Sequence, residues 1–498
     1  MQKDEKCLIY KKYILSVQKS PYIIKSGKRA RDVNKLKKIC ITAAAILLIS
    51  AAVLGVREIG NSKDKNKNVS ISVAWGSEAE SRAAAPETIG KFRKQYGDIE
   101  VKPDTWILDT STYYMKAATG RLPTLFYSAM TESERFKRTG FNLDLEKYIK
   151  KYEYDKYMRQ EIKNLVSEGG KYYSVPSYAY LLGVIFNAEL FEEAGLVNDD
   201  GTYKVPKTYE ELAEYAQIIT ERTGVPGFLL ETDKRVGGWL FTNIAWAYGT
   251  EFIKYENGKW YAAFNSPECI KAFQYMKDLR WKYNVIPDNY DCDQNQAQRK
   301  VLQKECAMII DGGISSIYSR FKGDKNAVGM FSMPEGPAGK YSLLGGVVYG
   351  MSNTASDEEL DAAFKWIEYD GGTPNGNKSG TVYENKEKAY QKRIEEGQPI
   401  GLKNYSIWTE DCPARKADNE MREKYKNVPD KLYKDYNDMI DGKIPIIIRA
   451  EEKVSCQDLY YILTECLNEI FENPDVDLET LTAQAAEKFQ TEYLDKIN

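Results

Sequence analysis

The 498-residue chain contains no histidine. That absence removes the commonest general base, the Ser-His-Asp and Cys-His pairs, and the usual zinc and non-haem iron ligand sets. Its eight cysteines (Cys7, Cys40, Cys269, Cys292, Cys306, Cys412, Cys456 and Cys466) never form a CxxC pair, and their spacing fits no metal site. Most read as reduced core residues, with at least one bonded pair after export as the alternative. No GxGxxG or Walker A signature supports a nucleotide site. No short motif singles out the two carboxylates that a glycoside hydrolase needs, although Asp and Glu are abundant. Internal repeats and heptad arrays are missing too. No catalytic residue, cofactor or metal is assigned.

What is present points to a large folded body behind a leader. Hydrophobic residues make up 43% and charged residues 29%, which excludes a wholly disordered, collagen-like or multi-span membrane chain. The length suits two or three domains. The formal charge of −3 hides an asymmetry: residues 1–38 carry twelve Lys/Arg against three Asp/Glu, a net +9, leaving −12 for the rest. An acidic body argues against nucleic acid as a partner. Residues 39–56 are apolar or small apart from Thr42 and Ser50, and residues 57–68 form a polar linker. Eighteen residues lie at the lower edge for spanning a bilayer, and the positive flank keeps the N-terminal end inside. The segment reads as a signal or an anchor, cleaved or retained. Mediocre cleavage options near Ser50, Ala51 and Ala52 incline the reading to export with the body tethered at the outer face of the plasma membrane.

The body opens on Val69-Ser-Ile-Ser-Val-Ala-Trp75, an alternating strand. A helix over residues 83–96, a strand at 99–101, a helix at 110–119 and a strand at 122–127 follow. This βαβαβ rhythm predicts a mainly parallel sheet covered by helices. Thr208 and Glu211 predict a capping box, Ser266-Pro267 a helix start, and residues 306–310 a buried strand. The last 120 or so residues read as helical.

Seven pieces then occur in a familiar order. They are Leu122-Pro-Thr-Leu-Phe126; Gly170-Lys-Tyr-Tyr-Ser-Val-Pro176 with Gly183-Val-Ile-Phe-Asn187 and its continuation to Leu196; and Val205-Pro-Lys-Thr-Tyr-Glu-Glu-Leu212. Tyr255-Glu-Asn-Gly-Lys259, Phe264-Asn-Ser-Pro267, Cys306-Ala-Met-Ile-Ile-Asp-Gly-Gly313, and Gly345-Gly346 with Phe364-Lys-Trp-Ile-Glu-Tyr369 complete them. Together they resemble the extracellular solute-binding proteins that deliver sugars to ABC transporters, relatives of the maltodextrin-binding protein. The resemblance implies an α/β, two-lobed periplasmic-binding-protein-like fold with hinge crossings and an inter-lobe cleft. Lobe one would hold residues 69–178 plus 343–370, and lobe two residues 179–342 plus 371–498. The implied function is capture of a sugar or oligosaccharide by lobe closure and its presentation to permease subunits. A membrane-anchored sensor or scaffold of the same fold is one alternative, and a glycoside hydrolase another. The lipobox cysteine of many cell-attached members is missing, since Val56 follows Leu54-Gly55. An uncleaved helix would substitute.

Sugars offer flat C–H faces edged with hydroxyls, so the expected site combines aromatic plates with multiply bonding polar groups. The candidates are Trp75 and Glu78 after the first strand, and Tyr127 and Glu134 after the third. Tyr178 and Tyr180 fall at the first crossing, Trp239 follows Gly237-Gly238, and Asp311 precedes two glycines. Gly345 and Gly346 would admit backbone amides to the ligand, and Trp408 with Glu410 forms an aromatic-plus-acid set in the tail. Phe126 and Trp246 are expected in the core. Ile314 stands where relatives often have an aromatic.

Overall fold

The structure is a computed structural model that describes residues 68–75, 79–108, 110–139, 143–376 and 380–497. The basic leader, the apolar segment 39–56 and Glu78 lie outside the described residues. The body from Asn68 onward is a compact unit by itself. No helix among the described residues is long and apolar enough to cross a membrane.

Alternation dictates the first strand. β1 (Val69–Ala74) buries Ile71 and Val73, while Ser72 turns the other way to exchange hydrogen bonds with Thr124. β1 pairs in parallel with β2 (Ile99–Asp104) on one side and β3 (Leu125–Ala129) on the other. Helices Ala79–Gln95 and Thr110–Ala118 make the two crossovers. The βαβαβ expectation therefore holds, with each element shifted by a few residues. The Gly169-Gly170 turn joins the short antiparallel pair β4 (Ser167–Glu168) and β5 (Lys171–Tyr172).

The apolar run over residues 180–186 does not form one strand. It splits at Leu182 into β6 (Val175–Leu181) and β7 (Gly183–Asn187), which belong to different sheets. Further on come the hairpin β8 (Ile253–Glu256) and β9 (Lys259–Ala262), then β10 (Met308–Asp311), β11 (Val328–Ser332), β12 (Glu335–Gly336) and β13 (Gly339–Met351). β7 sits between β10 and β11 in a small antiparallel sheet. β13 is the spine of the large sheet, pairing with β3, β6 and β12. A last strand, β14 (Ile447–Ala450), runs parallel to β13 inside a tail that reads as helical from sequence. Its residues are exposed or half-buried, so the tail shows no buried apolar strand run.

Helix starts follow the local chemistry. Thr208 caps helix Tyr209–Thr223 by accepting the Glu211 amide, but the Glu211 carboxylate takes the Lys207 amide, one residue outside the expected box. Ser266 and Pro267 open helix Pro267–Lys277 as expected. Helix Asp357–Tyr369 has a full capping box between Ser356 and Glu359 and three acids in its first turn. It presents Trp366 to the large sheet, where the ring meets Trp75 edge-on at 5.5 Å. The six described cysteines are free and buried, as read from the sequence. Phe126 and Trp246 are core residues, each 1% exposed.

The tail touches both sheets. Residues 405–410 join the region around Met158: Trp408 bridges Met158, the Thr409 amide donates to the Tyr157 carbonyl, and Arg159 pairs with Glu410 at 2.9 Å. Farther along, Asp435 accepts from the Ser332 amide, and the Tyr436 hydroxyl donates to the Leu181 carbonyl. Helix Cys456–Glu472 packs closely enough on helix Val236–Ala247 that a Cβ on Gly238 would run into the Tyr460 backbone.

Candidate functional site

A cavity of about 600 Å³ opens where the chain passes between the two sheets. Three of its walls follow from the topology. Tyr178 and Tyr180 come from β6, just before the crossing at Leu182. Trp239 comes from the first turn of helix Val236–Ala247. Asp311, at the end of β10, and Gln294, at the start of helix Gln294–Leu302, supply polar atoms. The fourth wall is the tail, where Tyr405 and Trp408 face the cavity with Arg415.

The aromatic groups form a corner. The Tyr180 ring lies 6.4 Å from Trp239 at an interplanar angle of 84°, and 6.4 Å from Tyr178 at 34°. Tyr178 is 52% exposed, whereas Tyr180 and Trp239 are half-buried. Glycines make room for Tyr180. A Cβ on Gly312 would stand 2.6 Å from Tyr180 Cδ2, and one on Gly345 would collide with the same ring. A Cβ on Gly346 would strike the Tyr178 carbonyl and Met130 Cε. The two glycines of β13 thus serve the fit of β6 against β13, and neither lines the cavity.

Asp311 is 3% exposed. Its carboxylate accepts from Gln298 Nε2 at 2.7 Å, Gln294 Nε2 at 3.2 Å and the Gly312 amide at 2.6 Å. Burial raises its pKa above the ordinary carboxylate value, and the hydrogen bond from Gln298 opposes the rise. Gln298 Nε2 also reaches Ser316 Oγ at 2.9 Å, fixing the amide against a second cavity wall. Behind Asp311, Glu231 is wholly buried with both carboxylate oxygens unpartnered, and burial drives its pKa well above the usual range.

The tail wall is held from outside the cavity. The Tyr154 ring packs on Trp408 at 5.1 Å, Arg159 Nε donates to the Trp408 carbonyl at 3.1 Å, and the Tyr405 hydroxyl donates to Glu161. Arg415 donates to the Asn404 carbonyl at 3.1 Å and pairs with Glu410 at 3.3 Å. Glu410 is therefore a strut on the outer side, while Trp408 lines the cavity.

The remaining candidates lie elsewhere. Tyr127 packs on Tyr349 at 4.8 Å, and its hydroxyl lies 3.5 Å from Asp370. Burial lifts the Asp370 carboxyl to about 6, and the hydrogen bond from Tyr127 opposes this. This cluster sits one residue from Gly371 and Gly372, which do line the cavity. Glu134 pairs with Lys137 at 3.2 Å, and Trp75 packs on Trp366. The structure thus gathers Tyr178, Tyr180, Trp239, Asp311 and Trp408 around one space. Gln294, Tyr405 and Arg415 join them unforeseen. Only Gln294 carried a local signal, as the residue after the Asp293 helix cap.

Two sheets joined by a chain crossing, with a cleft at that crossing, are the arrangement of a two-lobed binding protein. The chain belongs to the bacterial extracellular solute-binding protein family, whose profile matches residues 75–369. A multiple sugar-binding protein of Streptococcus mutans serotype c is 22% identical over 324 residues, covering 62% of this chain and 72% of that protein. Among solved structures, maltose-bound MalE3 of T. maritima matches with a TM-score of 0.62 at 21% identity, covering 85% of this chain and 99% of its own. UgpB of Mycobacterium tuberculosis in complex with glycerophosphocholine matches at 0.63 and 16%, covering 85% and 98%.

Proposed function

We propose that this protein captures a sugar or oligosaccharide in the cleft and presents it to the permease subunits of an ABC importer. The carrying observation is the convergence of Tyr178, Tyr180, Trp239 and Trp408 with Asp311 and Gln294 on one cavity. Aromatic faces suit the C–H surfaces of a pyranose, and the carboxylate and amide suit its hydroxyls. The volume falls within the usual range for small-molecule sites, roughly 300–1,000 Å³. The multiple sugar-binding protein and maltose-bound MalE3 lend support to a carbohydrate ligand.

Capture needs no bond to be made or broken. Ligand that touches both walls binds the closed arrangement more tightly and shifts the population toward it. In this reading lobe one centres on residues 69–178 with 343–370 and lobe two on residues 179–342 with 371–498. β6 carries the large sheet on to Leu181, β13 enters it from Gly339, and residues 405–410 of the tail bond to Tyr157 and Arg159 of lobe one. The apolar segment 39–56 would tether the body at the outer face of the plasma membrane. A thermal-shift screen of residues 68–498 against mono- and oligosaccharides tests the proposal, since a true ligand raises Tm by mass action. No shift with any saccharide at millimolar concentration would refute it.

A further inference from the structure

We infer that Gln294 is a specificity-determining residue of this cleft, presenting its Oε1 to the ligand as an acceptor that selects a hydroxyl donor. The inference rests on the sugar-binding reading and deepens it, naming an atom that reads one saccharide hydroxyl.

The orientation of Gln294 is set from Arg320. A guanidinium only donates, and which way a side-chain amide points is decided by its partners. Arg320 Nη1 donates to Gln298 Oε1 at 3.3 Å, so the Gln298 amide turns its Nε2 the other way. That nitrogen has two hydrogens to give. One goes to Asp311 Oδ2 at 2.7 Å and the other to Ser316 Oγ at 2.9 Å. A flipped amide would set Nε2 against the guanidinium and Oε1 against the carboxylate.

Asp311 is thereby met by donors on both oxygens, since the Gly312 amide donates to Oδ1 at 2.6 Å. A carboxylate held in this way acts as an acceptor toward its next neighbour. That neighbour is Gln294, whose Nε2 donates to Asp311 Oδ2 at 3.2 Å. With Nε2 committed, Oε1 is the amide atom left over, and it has no hydrogen-bond partner among the described residues. The side chain is half-buried and lines the cavity. Ser316, on the same cavity, has the opposite polarity: its Oγ accepts from Gln298, which leaves its own hydrogen for a ligand oxygen. A site that has a carbonyl oxygen waiting for a hydroxyl rejects an analogue unable to donate, because the oxygen is then desolvated without a partner.

The experiment is calorimetric titration of the protein with maltose, cellobiose, xylobiose and any saccharide that raises Tm in the thermal-shift screen. The monodeoxyfluoro derivatives of the tightest binder follow, since fluorine replaces a hydroxyl without a hydrogen to donate. In the wild-type protein one position is expected where fluorination weakens binding at least about tenfold. In Gln294→Met, which keeps the length of the side chain without the acceptor, the same change should cost under about twofold. A merely structural role for Gln294 would weaken all these sugars alike and leave the penalty at each position unchanged. If no position loses its penalty in Gln294→Met, the inference is overturned and the sugar reading stands. Binding of no saccharide at all removes the sugar reading and this inference with it. If Gln294→Met fails to fold, Gln294→Ala takes its place in the same comparison.

Discussion

Gly312 lies against the ring of Tyr180, so close that a Cβ would stand 2.6 Å from Cδ2. The two residues belong to different sheets, since Tyr180 is on β6 and Gly312 follows β10. The contact couples the shape of the cavity to the seam between the sheets. Gly312→Ala must displace the ring or the backbone, and overpacking of this kind costs about 1–3 kcal/mol. Urea denaturation should show that loss, and calorimetry should show weaker ligand binding in the same variant. An unchanged midpoint with unchanged affinity would contradict the packing described.

Tyr178 and Trp239 separate binding from stability. Tyr178 is half exposed, so Tyr178→Ala should leave Tm within a degree or two while weakening ligand binding roughly tenfold. Trp239→Ala should lower both. Trp75→Phe lies against Trp366 rather than the cavity and is expected to leave affinity alone. Isothermal titration of the three variants distinguishes these outcomes.

Glu231 gives the protein a pH signature. Its folded pKa is raised above the unfolded value of about 4.3, so the folded state holds this proton more tightly. Stability from this group is fully present below the unfolded pKa and is lost as pH rises through the folded one. Glu231→Gln keeps the shape and cannot ionise. Its Tm relative to wild type should therefore climb between about pH 5 and about pH 8. A constant difference across that span would show that Glu231 is not a buried neutral acid.

The Arg159–Glu410 pair tests how the tail wall is held. Glu410 is 60% exposed, so the pair itself should contribute only about 0.2–1 kcal/mol in a double-mutant cycle. Arg159 also holds the Trp408 carbonyl. Arg159→Ala should thus weaken ligand binding more than Glu410→Ala does. Equal effects would reduce Arg159 to a surface charge.

Sequence reasoning reached the parallel β2-β1-β3 core because alternation in residues 69–75 and the spacing of the crossover helices leave few other arrangements. It reached Tyr178, Tyr180 and Asp311 because crossings and strand ends are where ligands collect in such folds, and Trp239, which lies in a helix, only through the family resemblance. It did not separate Trp408 from Glu410, since residues two apart in an irregular segment reveal nothing about which side faces inward. Tyr127 and Trp75 occupy strand ends of the right kind, yet their rings are taken up by Tyr349 and Trp366. Gly345 illustrates the same limit. Its missing side chain serves the Tyr180 ring, a partner more than a hundred residues away that no local pattern names. β14 escaped notice because its exposed residues resemble a loop.

Leu182 alone separates β6 from β7, and both of its backbone groups are engaged. Its amide donates to the Leu343 carbonyl at 3.3 Å, and its carbonyl accepts from Ser342 Oγ at 2.8 Å. One residue spans under about 4 Å of chain. So short a tether permits swivelling and forbids sliding. Leu182 is thus one pinned point about which the two sheets would turn if they part to admit a solute.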